Sequence, residues 1–246
     1  MDYSKYCALT YNGVLLDDVI DGYTTINVDG RGLFSPSLNV VTVPGKDGGF
    51  VLDQQYPPKQ ITVYFLLKAF QDKVFRERLN KLHALLKSEE DVKFSFGDEK
   101  GYRLGRLSEV TNPPYNQNAG VGSFVLYCQK PFLYSDNKER NFTGSTSTIK
   151  DIEVDSLTIT CDAPADNLKI TDKKTGAQLL VLESFSEGDI VLIDFQNNRI
   201  TKNKANITQK VDFTKSTFTA FKHPSGLELE LSIESPATLV YREIQL

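Results

Sequence analysis

Ile61-Thr62-Val63-Tyr64-Phe65-Leu66-Leu67, followed after a short break by Asp72-Lys73-Val74-Phe75-Arg76-Glu77-Arg78-Leu79-Asn80-Lys81-Leu82-His83-Ala84-Leu85-Leu86, hands a strand directly to a helix. Ile61, Val63, Phe65 and Leu67 face one way at period two, and Thr62, Tyr64 and Leu66 face the other. Both faces are largely apolar, so a helix or another subunit is expected over the second. Pro57-Pro58 blocks extension upstream. In the helix, Phe75, Leu79, Leu82 and Leu86 recur at spacings of four, three and four, a single apolar stripe. Arg76, Glu77, Arg78, Asn80 and Lys81 hold the polar side, and Lys87-Ser88-Glu89-Glu90-Asp91 ends the pattern. One short isolated helix cannot build a bundle; it must pack on a sheet.

Outward from this pair the first half reads as strands. Upstream, an apolar stretch over 6–15 is broken by the turn pair Asn12-Gly13. Residues 24–28 read as a strand, as does Val40-Val41-Thr42-Val43, which stops at Pro44-Gly45 before a glycine-rich tip, Lys46-Asp47-Gly48-Gly49. Downstream, Val92-Lys93-Phe94-Ser95-Phe96 and residues 102–107 flank Gly97-Asp98-Glu99-Lys100-Gly101 as a hairpin. Residues 111–122 read as a loop of Pro, Asn and Gly. Residues 123–129 alternate again, with Phe124, Leu126 and Cys128 on one face.

Polar Asp136-Asn137-Lys138-Glu139-Arg140-Asn141 and small Gly144-Ser145-Thr146-Ser147-Thr148 place a boundary near 135–147. The expected division is residues 1–134, a linker at 135–148, and residues 149–246. Charge differs across it: 1–134 hold 15 basic and 15 acidic side chains, whereas 135–246 hold 13 and 17, a net of -4. The second half shows no helix pattern. Leu157, Ile159 and Cys161 alternate with Ser156, Thr158 and Thr160. Residues 167–170 and 178–182 flank the turn Lys173-Lys174-Thr175-Gly176, and residues 190–195 and 199–201 flank Gln196-Asn197-Asn198. Leu227, Leu229, Leu231 and Ile233 alternate with Glu228, Glu230, Ser232 and Glu234, and residues 238–244 close the chain. Short strands separated by turns describe a β-sandwich. The fold class is therefore mainly β with one helix: a β-rich α+β domain followed by a sandwich.

Composition excludes several classes. The 246 residues are 40% hydrophobic and 24% charged, with a net charge of -4, which suits a folded chain and argues against a sequence-reading nucleic-acid binder. No apolar run approaches the roughly 18 residues of a membrane-spanning helix. Met1-Asp2-Tyr3-Ser4-Lys5-Tyr6-Cys7 lacks the apolar segment of a secretion signal. Cys7, Cys128 and Cys161 are distant and odd in number, so they are expected as reduced buried thiols.

The tools of an enzyme are absent. His83 rides beside the helix stripe, and His223 sits in the turn His223-Pro224-Ser225-Gly226; neither has a metal-ligand pattern or a nucleophile elbow around it. Asp17-Asp18-Val19-Ile20-Asp21 lacks the spacing of a calcium loop and reads as a solvated turn. Glu153-Val154-Asp155 reads as part of a strand edge, and nothing selects a carboxylate pair for glycoside hydrolysis. Gly45-Lys46-Asp47-Gly48-Gly49 has neither phosphate-loop spacing nor a following helix. No catalytic residue, metal or cofactor is expected.

The order of features carries a resemblance. Asn12-Gly13 follows a strand; Val43-Pro44-Gly45-Lys46-Asp47-Gly48 comes next; Ile61-Thr62-Val63 precedes the one helix; and Cys128-Gln129-Lys130-Pro131-Phe132-Leu133-Tyr134 ends the first domain. The second half adds Glu187-Gly188-Asp189-Ile190-Val191-Leu192-Ile193-Asp194, Asn198-Arg199-Ile200-Thr201, Pro224-Ser225-Gly226 and Tyr241-Arg242-Glu243. In this order, spacing and length the whole chain resembles the distal tail proteins of long-tailed, non-contractile phages of Gram-positive bacteria, prophage copies included. Family members often carry Arg where Lys46 stands, which keeps charge but not bidentate geometry. A glycine usual after Ile200 is replaced by Thr201-Lys202-Asn203-Lys204.

The resemblance implies a non-enzymatic structural hub. The first domain would form a homo-hexameric ring, joining the major tail tube protein to the tail-associated tip or lysin protein. The second would be a galectin-like sandwich that projects outward and docks receptor-binding or accessory baseplate proteins. DNA would pass through the lumen unread, and the protein would be made in the bacterial host cytoplasm and reside in the virion at the tail tip. Contacts to a neighbouring ring or partner are expected at Lys46, Asp47, Gly48 and Gly49 and at Asn116 and Asn118 in the 111–122 loop. The alternative is a carbohydrate-binding module on the host cell wall, because a sandwich with aromatics can stack on sugars; the chain has no Trp, the strongest stacking platform.

Overall fold

The structure is a computed structural model that describes residues 6–114, 117–218, 221 and 226–246. The chain divides after Leu133 into two compact units. In the first, β1 (Leu9–Tyr11) and β2 (Val14–Leu15) turn through Asn12 and Gly13, whose φ values of 49° and 77° suit a tight hairpin. There follow a single helical turn α1 (Leu16–Val19), β3 (Tyr23–Asp29), β4 (Ser37–Val41), β5 (Phe50–Gln55), β6 (Lys59–Lys68), α2 (Asp72–Leu86), β7 (Val92–Phe96), β8 (Arg103–Thr111) and β9 (Ala119–Cys128). Seven strands form one antiparallel sheet in the order β2-β1-β7-β8-β9-β6-β3, while β4 and β5 form a separate two-stranded ribbon.

β6 and α2 organise the core. Ile61, Val63, Phe65 and Leu67 are buried with Phe75, Leu82 and Leu86 of the helix, and Leu79 packs at the margin. The opposite row, Thr62, Tyr64 and Leu66, is half-buried, so the helix covers one apolar face of β6 and leaves the other partly open. An Asp72–Arg76 ion pair of 2.8 Å spans the first turn of α2. Leu82 is 3% exposed. Leu82→Ala should therefore cost roughly 2–5 kcal/mol by denaturant titration, through the lost transfer energy and a cavity.

The 111–122 loop is shorter than its composition suggests. β8 runs to Thr111 and β9 begins at Ala119, so Gly120 and Gly122 lie in a strand. A Cβ on Gly122 would sit 2.6 Å from Phe65 and 2.8 Å from Pro113, so the glycine marks close packing rather than a flexible tip.

The second unit contains β10 (Leu133–Tyr134), β11 (Lys138–Thr143), β12 (Ile152–Thr160), β13 (Leu168–Asp172), β14 (Gln178–Val181), β15 (Ile190–Asp194), β16 (Arg199–Lys202), β17 (Ala205–Asn206), β18 (Leu229–Leu231) and β19 (Pro236–Gln245), with a 3-10 turn at Thr208–Lys210. The larger sheet runs β10-β19-β12-β15-β16-β17, with β11 also on β19; the smaller runs β14-β13-β18. Leu157, Ile159, Val191 and Leu239 from the first share one core with Ile170, Leu179 and Leu229 from the second, which makes a sandwich.

One expectation is corrected. Residues 135–148 are not a free linker: Lys138–Thr143 is β11, paired along β19 from Lys138↔Tyr241 to Thr143↔Pro236. Its polar composition follows from being an outer strand, whose backbone is bonded while its side chains meet water. Glu153 and Val154 do lie at a local strand edge, because they pair with β19 on one side while the pairing of β12 with β15 begins only at Ser156. No helix among the described residues is long and apolar enough to cross a membrane.

Candidate functional site

The β4–β5 ribbon is the most unusual surface of the first unit. Every residue of both strands is exposed. Phe50 and Leu52 are 56% and 64% exposed, and Leu38, Val40, Val41 and Val51 are open as well. Val41 pairs with Phe50 and Val40 with Val51, so apolar side chains stand on both faces. Among the described residues neither outer edge has a strand partner within the unit. An isolated two-stranded ribbon is marginal in water, and open edges with apolar faces are an association site or an aggregation liability.

Lys46, Asp47, Gly48 and Gly49 lie at the tip of this ribbon. Gly45 and Gly48 take φ values of 82° and 87°, which only glycine adopts easily. The Lys46 ammonium sits 5.9 Å from the Phe50 ring. Asn118 lies elsewhere, in the connection from β8 to β9, where its carbonyl accepts from the Ala69 N–H at 2.7 Å. Asn116 lies outside the described residues. The sequence marks the tip but not the apolar faces of its two legs. The signal was there in Val40-Val41 and Phe50-Val51-Leu52: consecutive hydrophobes in a hairpin fill both sides at once.

A second apolar feature is a cleft of about 550 Å³ between α2 and the β8–β9 end, lined by Phe65, Leu79, Leu82 and Val110 with His83 at its border. His83 is exposed there, and among the described residues no acid or nucleophile lines the cleft with it. His223 lies outside the described residues.

The end of the sheet beneath the ribbon is charged. Arg31 donates to Asp98 at 2.6 and 2.8 Å and to Glu99 at 3.2 Å, and Arg103 donates to Glu99. The bond from Arg31 holds the Asp98 carboxyl below its ordinary range. Burial pushes the Cys128 thiol up to about 11, so it stays protonated and unreactive. Cys7 is half-buried rather than buried, its thiol 3.7 Å from the Thr25 carbonyl; all three cysteines are free. Asp17, expected in a solvated turn, accepts from the Thr25 N–H and hydroxyl, each at 2.9 Å, and so ties α1 to β3.

In the second unit the central charges are structural. Arg242 of β19 donates to Asp155 at 2.7 Å and reaches Glu153 at 3.4 Å, and Gln196 donates to Asp155 at 3.1 Å. Glu153 and Asp155 are two apart on one strand and share a face. Burial raises the Asp155 carboxyl, against the lowering effect of Arg242. The outer face of the larger sheet carries a groove of about 480 Å³ bordered by Asn141, Thr143, Thr158, Thr160 and Thr238.

Known proteins place this architecture. Residues 20–128 match the phage tail protein RIFT-related domain, and residues 153–244 match the siphovirus-type tail component, C-terminal domain. The chain carries these two phage tail domains. The distal tail protein of Bacillus phage SPP1 is 24% identical over 250 residues, covering 97% of this chain and 96% of the relative. The crystal structure of that SPP1 protein, described as a paradigm of the hub adsorption apparatus of phages infecting Gram-positive bacteria, superimposes with a TM-score of 0.80. It is 20% identical and covers 97% of this chain and 99% of its own. A chain of the phage P2 baseplate in its activated conformation matches with a TM-score of 0.53 at 12% identity, covering 94% of this tail component and 92% of that chain. The mainly β fold with one main helix is thus shared with the SPP1 protein.

Proposed function

We propose that this chain is the hub of a long non-contractile phage tail, in which six copies close into a ring through the first unit and join the tail tube to the tip or baseplate proteins. The observation that carries this reading is the β4–β5 ribbon. Its exposed apolar faces and open edges can be buried against a different patch of the next copy. Such head-to-tail contacts repeat until the ring closes. The number six rests on the resemblance to distal tail proteins, and the hub role on the SPP1 relative. The ribbon tip at Lys46–Gly49 and the connection at Asn118 are the surfaces assigned to the tube or tip protein.

The chemistry of the lumen and of the second unit suits the same role. The first 134 residues balance 15 basic against 15 acidic side chains, so a ring of them neither traps nor strongly repels the DNA backbone passing through. The second unit presents exposed Glu230 and Glu234 and carries an excess of acid, which fits a basic patch on a receptor-binding or accessory protein. Its work is mechanical docking, with no reaction to catalyse. The mature protein resides in the virion at the tail tip after synthesis in the host cytoplasm.

Native mass measurement across a concentration series, with and without tail-tube protein, tests the stoichiometry. Six copies are expected, growing with concentration because closure is linked to association. A closed assembly of any other number contradicts the reading.

A further inference from the structure

We propose that Lys59 is the residue that fixes the direction in which the β4–β5 ribbon leaves the first unit, by holding the aromatic pair Phe34 and Tyr56 at its root. Lys59 opens β6 and is 2% exposed, an unusual place for a lysine. Its ammonium has no hydrogen-bond partner among the described residues. It lies instead 5.2 Å from the centre of the Phe34 ring. Phe34 stacks on Tyr56 with centroids 6.2 Å apart and planes 23° from parallel. Phe34 stands just before β4, and Tyr56 directly follows β5. The two legs of the ribbon therefore meet in one aromatic pair, and a buried cation sits against it. Pro57-Pro58 bridges Tyr56 to Lys59 with restricted backbone, so the second leg cannot swing freely.

The surroundings make the lysine costly. Arg103, Glu99 and Cys128 are the ionisable groups around it; Glu99 already receives Arg103 and Arg31, and Cys128 stays neutral. Burial, with Arg103 adding to it, holds the ammonium below the ordinary lysine range. An apolar side chain would fill this position with less penalty. What the charge supplies, and an apolar chain does not, is attraction to the face of Phe34, which strengthens where water is excluded. The latch belongs to the single chain and goes beyond ring formation: it sets where the ribbon points before any partner arrives.

The test separates ribbon direction from fold stability. Spin labels placed through Asp47→Cys at the tip and Glu77→Cys on α2, on a Cys7→Ser background of the full chain, report the tip-to-helix distance distribution. The distribution should be narrow in the parent. Lys59→Met should broaden it at least twofold while leaving the denaturation midpoint of the first unit equal or higher, and Lys59→Arg should keep it narrow. A parent-like width in Lys59→Met overturns the proposal. Phe34→Leu removes the ring without touching the buried charge and should broaden the distribution likewise; an unchanged width there overturns it too.

Discussion

Replacing Phe50 and Val51 together by glutamate is expected to abolish ring formation while leaving the monomer as stable as the parent. The two side chains stand on opposite faces of the ribbon, so the double variant charges both. Both are more than half exposed in the single chain, and surface substitutions of that kind usually change stability by within about 0.5 kcal/mol. In the ring they would be covered. Losing one such apolar contact removes about 1.5–3 kcal/mol, and a carboxylate buried without a partner adds to that. A loss on the order of 3 kcal/mol weakens each contact roughly 100-fold. Every copy in a closed ring gives one ribbon and receives another, so the penalty recurs at each junction. Sedimentation velocity at concentrations where the parent assembles should show only monomer. Rings at the parent's concentration would remove the ribbon from the interface.

Arg242→Met is expected to destabilise the second unit by roughly 3–5 kcal/mol. The side chain is 13% exposed, and Glu153 and Asp155 beside it are 8% and 19% exposed. Methionine keeps much of the packing of the arginine stem but leaves two carboxylates together without the guanidinium. The pH dependence follows from the direction of the Asp155 shift. Its carboxyl is raised by burial even with Arg242 present, and without the guanidinium it rises further. The folded variant therefore binds a proton more tightly than the unfolded chain, so its stability recovers as pH falls and is lowest at neutral pH. Denaturant titrations at neutral and mildly acidic pH should show the gap to the parent closing. Adding Glu153→Gln and Asp155→Asn should return most of the loss at neutral pH. An unchanged gap across pH would mean that packing, not charge, holds Arg242 in place.

The elements that were legible in the sequence are those whose pattern is local. α2 spans Asp72–Leu86 as read, because its stripe, its polar side and its breaker lie within one segment. The Asn12-Gly13 turn was legible because both residues take positive φ there. The Arg242 cluster was not, since its carboxylates lie 87 and 89 residues away and alternate like an exposed edge. β11 was read as linker because strand pairing satisfies the backbone and leaves little mark on side chains that face water. The proposed contact surface was half legible. Glycines at 45, 48 and 49 announce a tip, but periodicity says which residues share a face and nothing about whether a second layer covers it. The exposure of Val40, Val41, Phe50 and Val51 required the fold.

Electron microscopy of the assembled tail, with this subunit located by a label on its second unit, tests the hub assignment most directly. The account predicts one ring of six copies between the end of the tail tube and the tip proteins, with the first units around the lumen and the ribbons lying between neighbouring copies. Finding the label on an isolated side fibre, or in a ring of any other symmetry, would contradict it.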